Sequence, residues 1–196
     1  MKRRVPSVEL DDELKRKARL NADYCLEQAQ KPWAMKPTFW GTEDTFYVGF
    51  LGELAVRKYL GIPLTVKRYI DFGYDLKYKT QRIDVKTSLL HEPLKQPISD
   101  GFRVFVATTE KLKCDLILFT KLEPDYSRVH LLGYINREDL DKAPITKVGD
   151  MPVSAYCVYF AFIKPIRSLL TQTTLQAQTE IQKAMSWRKS LSQETK

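Results

Sequence analysis

YDLKYKTQRIDVKTS, residues Tyr74 to Ser88, is the stretch whose reading decides the fold. Tyr74, Leu76 and Tyr78 alternate with Asp75 and Lys77, and Ile83 and Val85 alternate with Asp84 and Lys86. A period of two predicts two half-buried strands, here joined by a tight polar turn. Side chains two residues apart share one face of a sheet, so Asp84 and Lys86 are neighbours. An even-numbered loop centred on Lys79-Thr80 or on Thr80-Gln81 sets Asp75 opposite position 84 or 86. Asp75 then stands on the same face, with cross-strand Cβ atoms roughly 5 Å apart.

Two carboxylates and an ammonium in one place are sufficient in type for phosphodiester hydrolysis. Mg²⁺ takes hard oxygen ligands, commonly one or two carboxylates with water and phosphate oxygens completing the shell. A bound metal activates water, polarises the phosphoryl oxygen and offsets the charge that builds up during in-line attack. A neighbouring lysine orients or deprotonates the attacking water. The same alternation is also what a solvated hairpin face shows, and the hairpin alone leaves both readings open.

The chain has 196 residues, enough for one domain with a real core and a helical appendage. Hydrophobic residues make up 43% and charged residues 29%, as in ordinary soluble proteins. The net charge of +8 favours a polyanionic partner, nucleic acid first and an acidic membrane second. Cys25, Cys114 and Cys157 are far apart and odd in number, which argues against a disulfide framework and a structural zinc site. The two histidines, His91 and His130, are too few for a zinc cluster and read as ordinary surface or strand residues. Met1-Lys2-Arg3-Arg4 is followed by no apolar run, and the longest such run, Ala155 to Ile163, is short of a membrane span. The expectation is a soluble, cytoplasmic protein with no membrane partner.

A helix opened by Ser7 is predicted over Val8 to Gln30, from Leu10, Leu14, Ala18, Ala22 and Leu26 at three- and four-residue steps. Lys31 to Thr45 is a loop rich in prolines and aromatic rings, suited to covering a core edge or stacking on unpaired bases. A second helix, Thr45 to Leu60, ends at Gly61 and Pro63. It is apolar nearly all round, so it is expected to be buried. Glu53 falls on its apolar flank, where an unpartnered carboxylate carries a large desolvation cost. Arg57, four residues on, or a core lysine would satisfy it as a plain salt bridge. Gly49 and Gly52 each cost about 1 kcal/mol against Ala in a helix interior and hint at a close approach by another element. Further strands are predicted at Phe102–Ala107, Asp115–Leu122, Arg128–Ile135 and Pro152–Ile163, with a helical turn at Arg137–Leu140. A last helix, about Ile166 to Ser190, carries Lys183, Arg188 and Lys189.

A helix with glutamate, a strand with aspartate and a strand with Asp-x-Lys follow the order of the PD-(D/E)XK nucleases, the restriction-endonuclease-like superfamily. The chain resembles that family in GELA at Gly52–Ala55, GYDL at Gly73–Leu76 and IDVKTS at Ile83–Ser88. DLILF at Asp115–Phe119 and LLGYINREDL at Leu131–Leu140 are similar to the strands that complete the family's sheet. The resemblance implies a central mixed β-sheet flanked by helices, with the nuclease core at 45–170. Residues 1–44 precede that core and a helical tail, 171–196, follows it. It implies a Mg²⁺-dependent DNA endonuclease, Mn²⁺ substituting, in which Asp75 and Asp84 are metal ligands and the Val85 carbonyl is a third. Glu53 reaches the metal directly or through water, and Lys86 positions or activates the water. Tyr74 stands where the family has proline, and Asp84 where glutamate is common, without loss of a ligand. Cutting both strands takes two active sites, so the resemblance also admits a homodimer. Lys67, Arg68, Lys77, Lys79 and Arg82 are the expected contacts to the nucleic-acid backbone. The rival readings are a non-catalytic nucleic-acid-binding protein that keeps the fold, and a structural or assembly protein.

Overall fold

The computed structural model describes residues 2–29, 43–65, 74–107, 113–148 and 154–171. The chain divides into two units, Met1–Lys164 and Pro165–Lys196. Of the second, residues 165–171 are described, a helical turn begun by the Ser168 amide donating to the Pro165 carbonyl at 2.9 Å. The rest of the helix expected to reach Ser190, like most of the aromatic loop at 31–45, lies outside the described residues.

The first unit is mixed α/β. Its elements are β1 (Lys2–Arg3), β2 (Ser7–Glu9), α1 (Asp12–Ala29), α2 (Glu43–Leu60), β3 (Leu76–Tyr78), β4 (Gln81–Leu89) and β5 (Ile98–Ser99). They continue with β6 (Arg103–Ala107), β7 (Leu116–Leu122), β8 (Arg128–Asn136), α3 (Arg137–Leu140), β9 (Ile145–Lys147) and β10 (Ser154–Tyr159), closed by a 3₁₀ turn at Phe160–Phe162. The central sheet has the order β2-β8-β7-β4-β3, with β4 and β7 parallel and the other pairs antiparallel. A three-stranded antiparallel sheet, β6-β10-β9, and a β1-β5 ladder complete the strands.

The register of β4 on β7 defines the two faces of the central sheet. Val85 pairs with Leu118 and Thr87 with Thr120, and this face carries α2. Gly52 is the point of closest approach: a Cβ there would lie 1.9 Å from Thr87 Oγ1 and 2.8 Å from Thr120 Oγ1. The close approach hinted at by Gly52 is thus real, whereas a Cβ on Gly49 meets nothing within 4 Å. On the opposite face Asp84 pairs with Ile117 and Lys86 with Phe119. Ile117 and Phe119 share a buried apolar core with Val104 and Val106 of β6 and Val158 of β10. Among the described residues α2, backed by α1, therefore covers one face, and the second sheet packs against the other, where Leu140 of α3 joins the same core. In the connection from β4 to β7 the described residues form β5 and β6, and Pro93 and Pro97 disfavour a helix interior in the part that leads into β5.

The first helix starts later than its periodicity predicts. Ser7–Glu9 is a strand, paired antiparallel to β8 with Ser7 opposite His130. Val8 and Leu10, both buried, belong to a two-residue alternation and not to the helical stripe. Asp11 is the true cap: its Oδ1 accepts from the Leu14 amide at 2.9 Å and its carbonyl from the Lys15 amide at 3.1 Å. The second helix ends as expected. Gly61 adopts φ 69°, the Ile62 amide donates to the Arg57 carbonyl at 2.8 Å, and the Gly61 amide donates to the Lys58 carbonyl at 3.4 Å. That pair of bonds is a Schellman motif, which places the helix terminus and sets where the chain turns toward β3.

Candidate active site

The hairpin turn is Lys79-Thr80, with Lys79 at φ 57° and Leu76, Lys77 and Tyr78 opposite Ile83, Arg82 and Gln81. Extending that register sets Asp75 against Asp84, the first of the two arrangements the sequence allows. Asp75 lies just outside β3, and its two ends do different jobs. Its amide donates to the Ile83 carbonyl at 2.9 Å, continuing the ladder. Its Oδ2 accepts from the Val85 amide at 2.7 Å, so a side chain takes the place of the missing strand. β3 is only three residues long, and this bond holds a carboxylate at the edge of β4 beside Asp84.

Asp84 and Lys86 are two residues apart on β4, and Lys86 Nζ lies 3.0 Å from Asp84 Oδ2. Asp84 is 4% exposed, whereas the Lys86 side chain is 27% exposed. The bland expectation of a solvated strand face therefore fails at Asp84, whose carboxylate is in the interior and requires a compensating charge. Cys114 lies close enough to feel both groups. Burial pushes its thiol up to about 11, the Asp84 charge adds to that, and Lys86 and Arg137 oppose it.

Glu53 is also 4% exposed, on the buried side of α2. Its Oε1 accepts from Arg57 Nε at 2.9 Å, the four-residue pairing that the sequence offered as the plain alternative. What the sequence did not offer is where the rest of the guanidinium goes. Arg57 Nη2 donates to the Asp75 carbonyl at 3.3 Å and Nη1 to the Pro63 carbonyl at 3.4 Å. Glu53 is thus joined through Arg57 to the backbone of Asp75, and Asp75 through Val85 to the strand that carries Asp84 and Lys86. The four expected side chains come from α2, from the entry to β3 and from β4. Hydrogen bonds link Glu53 through Arg57 to the Asp75 carbonyl, and the Asp75 carboxylate to the backbone of β4, while α2 packs on the face of the sheet opposite to Asp84 and Lys86.

The expected nucleic-acid contacts divide into three kinds. Lys77 and Lys79 are exposed, with Lys79 Nζ 5.3 Å from the centroid of the Tyr78 ring. Arg82 is exposed too, but Asp115 holds it: Nη2 lies 2.9 Å from Oδ1, and the Arg82 amide donates to Oδ2 at 2.8 Å. Hydrogen bonding to Asp115 raises the Arg82 pKa and, in return, lowers that of Asp115. Lys67 and Arg68 lie outside the described residues.

Among the described residues, no group of three or more His, Cys, Asp or Glu side chains is gathered so as to hold a metal ion. Donor chemistry points to a smaller set. Asp75 and Asp84, at adjoining positions of the hairpin, match the one or two carboxylates that Mg²⁺ takes when water and phosphate supply the remaining ligands. They do not make the all-protein cage that zinc or calcium favours. No protein-family model, curated protein or solved structure matches the chain. No helix among the described residues is long and apolar enough to cross a membrane.

Proposed function

We propose that the chain is a metal-dependent DNA endonuclease of restriction-endonuclease-like fold, hydrolysing phosphodiester bonds with Mg²⁺ or Mn²⁺. The observation that carries this reading is the buried Asp84 paired to Lys86, with the Asp75 carboxylate bonded to the residue between them. A buried ion pair is weak evidence for stability, since apolar residues of similar volume do as well or better. An expensive carboxylate beside a second carboxylate and an amine is better accounted for by chemistry.

In this reading Asp75 and Asp84 hold the metal, which supplies Lewis-acid polarisation of the phosphoryl oxygen and a lowered pKa for water. Lys86 directs its N–H donors at the attacking water and the phosphoryl oxygens, where negative charge develops. Asp84 fixes the Lys86 ammonium and limits its rotamers. Lys77 and Lys79 contact the sugar-phosphate backbone, and a duplex substrate would call for a homodimer to cut both strands.

The reading is tested by incubating the protein with supercoiled plasmid, linear duplex, single strands and a four-way junction, with Mg²⁺ and with EDTA. Metal-dependent cleavage of at least one substrate is expected, and the substrate cut identifies the form recognised. Binding without cleavage of any of them would favour the second reading, a non-catalytic nucleic-acid-binding protein. The satisfied Glu53–Arg57 ion pair is the feature that favours that alternative.

A further inference from the structure

Arg57 joins three parts of the chain that are separate in sequence. Its Nε meets Glu53 on the same helix, its Nη1 meets Pro63 just past the helix terminus, and its Nη2 meets Asp75 at the entrance to β3. The side chain is 12% exposed and that of Glu53 5%. A guanidinium holds its five N–H donors in one rigid plane. Satisfying a carboxylate and two carbonyls at once therefore fixes how far Asp75 stands from α2. Pro63 and Asp75 bracket the segment that delivers the aspartate to the sheet, and Arg57 holds both ends of that segment. On its other side Asp75 is tied to β4 through the Ile83 carbonyl and the Val85 amide.

We propose that Arg57 is the positioning residue of the site, using Glu53 as its counter-charge and its remaining N–H groups to seat Asp75 against β4. This deepens the metal-site reading above and rests on it. Glu53 acts through Arg57, and the metal is held by Asp75 and Asp84. An ammonium on a flexible stem cannot reach three acceptors in one plane, so lysine does not replace arginine here.

Two measurements on the full chain test this. The first is amide hydrogen exchange at Val85, which reads the seat of Asp75 with no metal present. The second is Mn²⁺ affinity by calorimetry. Arg57→Lys is expected to speed exchange at Val85 at least 10-fold, with Ile117 little changed, and to weaken Mn²⁺ binding at least 10-fold. Glu53→Gln keeps an acceptor for Arg57 and is expected to change Mn²⁺ affinity less than 3-fold, against a loss of at least 30-fold for Asp84→Asn. If Arg57→Lys fails to fold, the pair Glu53→Gln/Arg57→Met, which buries no charge, takes its place and is expected to give the same two changes. Unchanged exchange at Val85 would overturn the proposal. So would tighter Mn²⁺ binding on loss of Arg57, because Glu53 would then be a ligand that Arg57 had been masking. A wild-type chain that binds no Mn²⁺, with Val85 still responding to Arg57, would sink the metal reading and leave the seat of Asp75 supported.

Discussion

The Asp75 carboxylate accepts the Val85 amide at 2.7 Å, so the residue expected to bind metal also finishes the edge of a sheet. These two roles separate under substitution. Asp75→Asn keeps an oxygen for the Val85 amide and is expected to fold with near wild-type stability while losing at least 100-fold in Mg²⁺-dependent cleavage. Asp75→Ala leaves the amide without that acceptor and is expected to cost about 1–3 kcal/mol in urea denaturation. Equal loss of stability in both variants would mean that the charge, and not the acceptor, matters to the fold.

The two glycines of α2 are expected to respond in opposite directions. Gly49→Ala meets nothing and gains up to about 1 kcal/mol from helix propensity. Gly52→Ala drives a methyl group into Thr87 and Thr120, and overpacking of roughly 1–3 kcal/mol outweighs the same gain. Adding Thr87→Ala to Gly52→Ala should recover part of the loss. Thermal unfolding of the four proteins checks this, and a stabilised Gly52→Ala would place the helix farther from the sheet than described.

Asp115 gives a pH dependence whose sign is fixed. Hydrogen bonds from Arg82 hold its carboxyl below the ordinary carboxylate range, so the folded value lies under the unfolded one. A depressed carboxylate contributes stability above its unfolded pKa, about 3.9, and loses that contribution as pH falls through the folded value. The stability gap between wild type and Asp115→Asn should be constant from neutral pH down to about 5 and should close below about 4. Denaturation midpoints at several pH values measure it, and a gap unchanged at pH 3 would contradict the assignment.

Charge availability separates the expected DNA-binding residues. Neutralising Lys77 or Lys79 should weaken binding alike across sequences and flatten the salt dependence by about 0.9 in log–log slope for each phosphate no longer neutralised. Arg82, already engaged by Asp115, should have a smaller effect than either lysine. Fluorescence anisotropy over a salt series reads both the affinity and the slope, and a dominant Arg82 would show that Asp115 releases it on binding.

The local patterns that specify one element were legible in the sequence, and those that depend on partners were not. The hairpin, the buried second helix with its glycine terminus and the strands β6, β7, β8 and β10 follow from periodicity and turn chemistry in their own residues. The strands β1, β2, β5 and β9 are two or three residues long and exist because a neighbour supplies their hydrogen bonds. Ser7 looked like a helix cap for the same reason: its pairing with His130 lies outside the local pattern. In the site, the spacing of Asp84 and Lys86 and the four-residue step from Glu53 to Arg57 gave two ion pairs directly. The bonds from Arg57 to Pro63 and Asp75 leave no mark on spacing, because two of the acceptors are backbone carbonyls. The burial of Asp84 was equally hidden, since it depends on what packs around that face of the sheet and not on the spacing within β4.

The central claim is that Asp75, Asp84 and Lys86 form a hydrolytic centre, and cleavage of supercoiled plasmid by Lys86→Ala beside wild type tests it most directly. With circular dichroism and DNA affinity confirmed as unchanged, the variant is predicted to lose at least 100-fold in the rate seen with Mg²⁺. Cleavage by Lys86→Ala at the wild-type rate would contradict the account.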